Sequence, residues 1–452
     1  MTTDQQSPDE LSDFADLIRD EQEYADRRSG LDPKVRRARR RRGWIITAVV
    51  FALLFGTVGG YVGWALTAPV AAPVGVARTP AVPAPVTATL TLPTAGAAAI
   101  SVAGGDVYLG PGASGIWATS GTDEPRSIAS ITKLITALVI LDARPLADAG
   151  DPGPTITFDK ADHDLYDKYY VMGATIAAMP TGSTMSLRDA LATMLIPSAS
   201  NYAEAVSTWA FGSQGAFVSA TRRWLAANGL GGTTIVEPTG ISASNTSTPS
   251  DLIALGKLAA ANPTIAQLVA TPSLSLPGPG NLSTTNGLLG TNGITGLKTG
   301  NLGENSYNLL YSATLDVGAV EPLTVIGVVL GGVSRESVNL DVVRTLDSIR
   351  AGFHTVPVVA SGLEVGSYST PWGSTARLIV ADDASIFTWS DTPITIAMDT
   401  TTPKTYRDGE VVGSITWTAG PNTVSVPLEV DGSIVPPTDW WRLTNPSELG
   451  EE

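Results

Sequence analysis

Twenty-four consecutive residues, Gly43 to Leu66, carry no charge, and no other stretch constrains the chain so strongly. As a helix rising about 1.5 Å per residue they reach about 36 Å, enough to cross a hydrocarbon core with some tilt. Trp44, Tyr61 and Trp64 stand near its ends, where amphipathic rings suit the headgroup regions, and seven bases between Lys34 and Arg42 precede it. That basic flank implies a cytoplasmic charged segment at 1–42, a transmembrane helix at 43–66, and everything later outside. The competing reading is a secretory signal cleaved near Ala65 or Ala68, for which the leading segment is long.

Residues 67–95 cannot sustain a helix, because Pro69, Pro73, Pro80, Pro83, Pro85 and Pro93 recur among Ala, Val and Thr. An extended linker of this kind spans about 3.1 Å per residue and would hold a domain roughly 80 to 90 Å from a bilayer. Charge narrows the partners. The formal net charge is −15, yet residues 1–42 hold ten acids and ten bases, so the whole acidic excess lies beyond residue 66. A main body of that sign does not bind nucleic acid through its phosphates, and the arginine run abuts an apolar span instead of forming a nucleic-acid patch.

There is no cysteine, and the only histidines are His163 and His354. Disulfides, thiolate metal cages and cysteine nucleophiles are excluded, and a histidine-rich metal site or a Ser-His-Asp triad has little to draw on. Any nucleophile is an oxygen or an amine, and lysine is the base to look for. No metal or cofactor site is expected.

From Gly96 onward the apolar pattern is that of a folded domain. Ala98, Ile100 and Val102 alternate before Gly104-Gly105, and Val107, Leu109 and Ile116 suggest the second strand of a hairpin. Ile131, Leu134, Ile135, Leu138, Ile140 and Leu141 recur at helical spacing with few charges, the pattern of a buried helix. Further helices are expected around 187–195, 201–209, 217–228, 249–261 and 340–351, with strands at 307–315 and 323–330. Strands at both ends with helices between them imply an α+β domain over 96–353, an antiparallel sheet flanked by helices. Beyond His354, short alternating runs separated by Gly, Pro and Asp turns read as a small β-sandwich over 354–444, followed by an acidic tail at 445–452. Trp440 and Trp441 are expected to dock on that sandwich in preference to touching a membrane.

Three segments within 96–353 carry chemistry. In Ser130-Ile131-Thr132-Lys133 a helix places hydroxyl and amine on one face, a nucleophile beside a base. An ordinary lysine is ammonium at neutral pH. Lowering its pKa by about three units corresponds to roughly 4 kcal/mol, which burial and a second nearby cation can jointly supply. Pro197-Ser198-Ala199-Ser200-Asn201 gathers hydroxyls and an amide at a turn between helices. Ser198 is a candidate proton relay and Ser200 or Asn201 a partner for the lysine or a substrate amide, although alone the segment reads as helix capping. Gly296-Leu297-Lys298-Thr299-Gly300 ends an extended run whose edge can pair with a peptide, with Lys298 and Thr299 placed to hold a carboxylate; the plain alternative is a solvated turn.

In order and spacing these segments resemble the penicillin-recognising serine enzymes. The stretches from Ala129 to Lys133, Met194 to Ser198 and Gly293 to Gly300 are similar in particular to the serine D-alanyl-D-alanine carboxypeptidases among the low-molecular-weight penicillin-binding proteins. So are Glu237-Pro238-Thr239-Gly240-Ile241 with Asn245 and Asp251, and Asp408 to Gly413 in the trailing domain. The resemblance implies a β-lactamase/transpeptidase-like domain that removes the terminal D-alanine of peptidoglycan stem peptides through an acyl-enzyme, without a cofactor and with β-lactams as covalent inhibitors. It makes Ser130 the nucleophile, Lys133 its base and Ser198 the proton shuttle. Lys298 and Thr299 would bind the terminal carboxylate with Gly300 beside them, Arg335 is a further candidate contact, and the N–H groups of Ser130 and Asn301 would form the oxyanion hole.

Where the family's second motif ends in asparagine, this chain has Ser200, with Asn201 one residue late. Either a bulge lets Asn201 serve, or Ser200 substitutes with a shorter reach. The anchor departs as well, since such enzymes often attach through a C-terminal amphipathic helix. Two alternatives stand beside the carboxypeptidase. A β-lactamase needs a carboxylate to activate the deacylating water, and no glutamate motif for it is evident between Ser198 and Lys298. A wall-binding or regulatory homologue would keep the fold without turnover.

Overall fold

The computed structural model describes residues 33–84, 87–390 and 392–450, so most of the expected cytoplasmic segment lies outside the described residues. At its centre is the helix Thr132–Ala143, buried from Thr132 to Leu141. A helix that is apolar all round has no face for water and must sit inside a domain. It lies in the helical core on one face of a five-stranded antiparallel sheet. The strand order is Ile294–Gly300, Tyr307–Leu315, Leu323–Gly332, Ala97–Ala103, Ala118–Ser120.

Strand alternation sorts side chains between two cores. Leu297, Leu310, Ile326 and Val328 join the helical core, while Leu309, Tyr311, Val325 and Val329 meet Val342, Leu346 and Ile349 of the helix Arg335–Gly352. The domain is α+β, its sheet covered by helices on both faces.

Most helices fall within a few residues of where periodicity puts them, and their starts are capped. Ser186 accepts a hydrogen bond from the Asp189 N–H, Thr248 from that of Asp251, and Ser334 closes a capping box with Ser337. Two helices left no readable stripe. Lys160–Val171 buries only Tyr169, and Pro263–Val269 makes about two turns.

The first hairpin is corrected. Residues Asp106–Leu109 form a helical turn, and the partner of Ala97–Ala103 is Ala118–Ser120. Asp106 decides this: its carboxylate accepts from the N–H groups of Gly112 and Ser114 and from the Ser114 hydroxyl, closing a loop where a strand was expected. The turn presents Tyr108 to the second domain, where its ring meets Phe353 and Phe387 and its carbonyl accepts from Thr392.

In that second domain a six-stranded sheet and the pair Phe353–Val359 with Ala384–Trp389 close over one core, which holds Val358, Ile386, Trp417 and Leu428. The outermost strand of the larger sheet comes from the linker. Val74–Ala77 pairs antiparallel with Glu364–Ser369, Val70 bridges to Leu449, and the Thr91 N–H donates to Ser348. The expected free stalk is therefore laid along the body, because its valines and leucines find a sheet edge and apolar surface in the gaps between prolines.

The apolar helix runs Pro33–Thr67, and its most apolar 18-residue window has a mean hydropathy of 2.2. By itself it is the one helix among the described residues long and apolar enough to cross a membrane. A short helix, Asp439–Thr444, clasps its end: the Tyr61 hydroxyl donates to the Leu443 carbonyl and Arg442 to that of Ala68. Trp441 docks as expected, its ring 5.8 Å from that of Trp372, but Trp440 does not and is 74% exposed.

Gly366 faces the linker strand so closely that a Cβ there would lie 2.2 Å from the Val76 carbonyl oxygen. Gly366→Val should expel Val74–Ala77 and speed limited proteolysis of the linker about tenfold, leaving the thermal transition of the five-stranded domain in place. Unchanged cleavage would mean that the strand is not docked.

Candidate active site

Ser130 lies in a single 3₁₀ turn, Ala129–Ile131, that runs directly into the helix Thr132–Ala143. The three-residue spacing spans this junction and brings the Lys133 Nζ 3.1 Å from the Ser130 Oγ. The amine also donates to the Thr239 carbonyl at 2.6 Å and is fully buried. Burial pushes its pKa down to about 7, against the opposing pull of the Glu237 carboxylate. Burial is therefore the main cause of the uncharged amine that a proton-accepting Lys133 requires near neutral pH. The Lys298 amine also lies well below the usual lysine range, through its own burial first and then the charges of Lys133 and Arg335.

Two segments press on the turn that carries Ser130. In the first, the Glu237 carboxylate accepts from the N–H groups of Thr239, Gly240 and Ser242, from the Thr239 hydroxyl and from the Asn245 amide. This ties the loop into the one shape that holds the Thr239 carbonyl against Lys133. A Cβ on Gly240, whose φ is +83°, would lie 1.9 Å from the Ala129 oxygen. In the second, a Cβ on Gly300 would lie 2.5 Å from the Ile128 oxygen and 3.4 Å from the Ser130 nitrogen. Only glycine permits the edge strand to come this near Ser130.

Between them opens a cleft of about 400 Å³, lined by Ser130, Ser198, Ser200, Thr285, Thr299 and Gly300, with Asn301 and Arg335 also on its wall. Lys133 and Lys298 are buried and do not line it. The strand Ile294–Gly300 is the outermost of its sheet, so one edge has no strand partner. No Asp or Glu lines the cleft among the described residues.

The second segment settles into two roles. Ser198 is held at φ 72°, an uncommon conformation for a side-chain-bearing residue, and its buried hydroxyl has no hydrogen-bond partner among the described residues. Ser200 opens the helix Ser200–Phe211 and faces the cleft. Asn201 does not reach it, which corrects its expected place among the substrate-binding residues. One step along a helix turns a side chain by about 100°, and Asn201 instead exchanges two hydrogen bonds with the Ala177 backbone, at 3.1 and 2.8 Å. Sequence reasoning missed Thr285, which no motif marks, and the use of the Thr239 carbonyl, for which the Glu-Pro-Thr-Gly run was the one available signal.

Serine hydroxyls activated by a lysine and set against a Lys-Thr-Gly strand characterise the penicillin-recognising serine peptidases, and the part of the chain that carries the site falls in that superfamily. Within it, residues 111–334 match the model of the D-alanyl-D-alanine carboxypeptidase family, peptidase S11, and the part of the chain that carries the site belongs to that family. Two curated relatives are D-alanyl-D-alanine endopeptidases. The one from Pseudomonas aeruginosa is 32% identical over 145 residues, and the one from Escherichia coli 33% identical over 149. These matches span 32% and 33% of this chain, and 43% and 44% of the relatives' own lengths. The fold is that of penicillin binding protein 6B from Escherichia coli, at TM-score 0.52, 20% identity and 77% coverage of this chain against 99% of the other. Penicillin binding protein 5 from Haemophilus influenzae superposes at TM-score 0.51 and 18% identity, with 78% and 100% covered.

With the amine losing its proton near pH 7, acylation of Ser130 by penicillin should rise about tenfold per unit below about pH 7 and then level off. Stopped-flow rates that stay flat between roughly pH 5 and 9 would contradict a lysine base. Ser200→Ala should slow acylation and leave the thermal midpoint alone, while Asn201→Ala should cost about 1 to 3 kcal/mol of stability through two orphaned backbone groups. Thermal denaturation and acylation rates on both variants check this division.

Proposed function

We propose that the protein is a membrane-anchored serine D-Ala-D-Ala carboxypeptidase that trims the terminal D-alanine of peptidoglycan stem peptides. The observation that supports this most directly is the 3.1 Å contact between the Ser130 hydroxyl and a buried amine of pKa about 7, at the wall of a cleft bounded by the Thr299-Gly300 edge.

In this reading the peptide extends along the free edge of Ile294–Gly300, and its terminal carboxylate meets Thr299 and Arg335 on the cleft wall, with the buried Lys298 amine behind them against Thr285 and the Thr299 carbonyl. Lys133 takes the Ser130 proton as Oγ bonds to the carbonyl carbon, and the backbone N–H groups of Ser130 and Asn301 receive the oxyanion. The carbon–nitrogen bond then breaks, with the proton passing from Lys133 through the unpaired Ser198 hydroxyl to the departing D-alanine amine. Lys133 next deprotonates the water that releases the acyl group. Ser200 stands where the family's motif has its amide, contributing a shorter polar contact. The basic run before Gly43 gives the anchor a cytoplasmic N-terminus and an extracytoplasmic catalytic domain.

The lining of the cleft weighs against a β-lactamase, since it offers the deacylating water no carboxylate. Mass spectrometry of the full chain after penicillin should find a persistent adduct on Ser130, absent from Ser130→Ala. The same protein should release D-alanine from a pentapeptide. Rapid turnover of a chromogenic cephalosporin would favour the β-lactamase, and peptide binding without D-alanine release the inert homologue. Cross-linked stem peptides are a second substrate to assay, because the curated relatives are named endopeptidases.

A further inference from the structure

Thr285 lies outside every motif, yet three groups assigned to the substrate carboxylate converge on it. Its hydroxyl is 2.6 Å from the Thr299 hydroxyl, the Lys298 amine donates to the same oxygen at 3.4 Å, and the Arg335 guanidinium donates to its backbone carbonyl at 2.8 Å. Thr285 itself lines the cleft.

The Lys298 amine fills one lone pair of the Thr285 oxygen, and across the 2.6 Å contact either hydroxyl can donate to the other. With Thr285 as the donor, the Thr299 proton is free to point into the cleft. Lys298 also donates to the Thr299 carbonyl, at 3.3 Å, which holds the amine at the root of this chain. We propose that Thr285 is a positioning residue for carboxylate recognition: it orients the Thr299 hydroxyl toward an incoming carboxylate and, through Arg335, fixes the segment that carries it. This rests on the carboxypeptidase reading. It adds a selectivity device, for a hydroxyl donates a stronger hydrogen bond to a free carboxylate than to a neutral ester.

The test compares acylation by a penicillin with acylation by its methyl ester, on the full-length wild type, Thr285→Val and Thr285→Ser. Valine keeps the shape and removes the hydroxyl. The acid should acylate Thr285→Val about tenfold more slowly than wild type, the size of one lost hydrogen bond, with the ester rate unchanged. Thr285→Ser should recover the wild-type ratio of acid to ester. If the acid and ester rates fall together, or the ratio stays at its wild-type value, Thr285 is a structural residue and the assignment is overturned. A wild type that takes neither compound overturns the peptidase reading itself, and this assignment with it.

Discussion

The burial of one amine organises the catalytic domain. Lys133 has no exposed surface, so nearly everything around it must be apolar or must offer an oxygen, and the surroundings meet both conditions. The helix it stands on is buried along most of its length, the loop held by Glu237 brings up the Thr239 carbonyl, and Ser130 takes the remaining direction. The same burial that leaves the lysine uncharged near neutral pH makes the packing exacting. A charged amine there would be costly, and a displaced loop would take away the Thr239 carbonyl and leave only Ser130 beside it.

What could be read from the sequence was local. The buried helix, the serine and lysine three residues apart at its start, and the strands 307–315 and 323–330 are patterns complete within ten to twenty residues, and the structure has them. The Lys-Thr-Gly strand needed only its own residues to be noticed. Ser200 and Asn201 show the limit of the method. Adjacent in sequence, they differ by one step around a helix, and only the position where the helix begins decides which of them faces the cleft.

The rest depended on pairings between distant parts of the chain. Nothing in Val74–Ala77 announces that it will complete a sheet with Glu364–Ser369, and Tyr61 meets Leu443 across 382 residues. Proline content argued for a solvated tether, correctly excluding a helix but not a docked strand, because an extended conformation serves both. Asp106 misled in a related way: alternating apolar residues around it mimic a strand, and only its three hydrogen bonds to the following loop prevent one.

Under the proposed function, the docked linker and the clasp at Tyr61 change what anchoring means. A flexible tether would let the cleft sweep a volume of wall and meet strands at many depths. A linker zipped into the second domain, with the C-terminal helix gripping the end of the apolar one, instead fixes one working height and one heading for the cleft. Under the proposed function, the substrate comes to the cleft, and the cleft does not search for it.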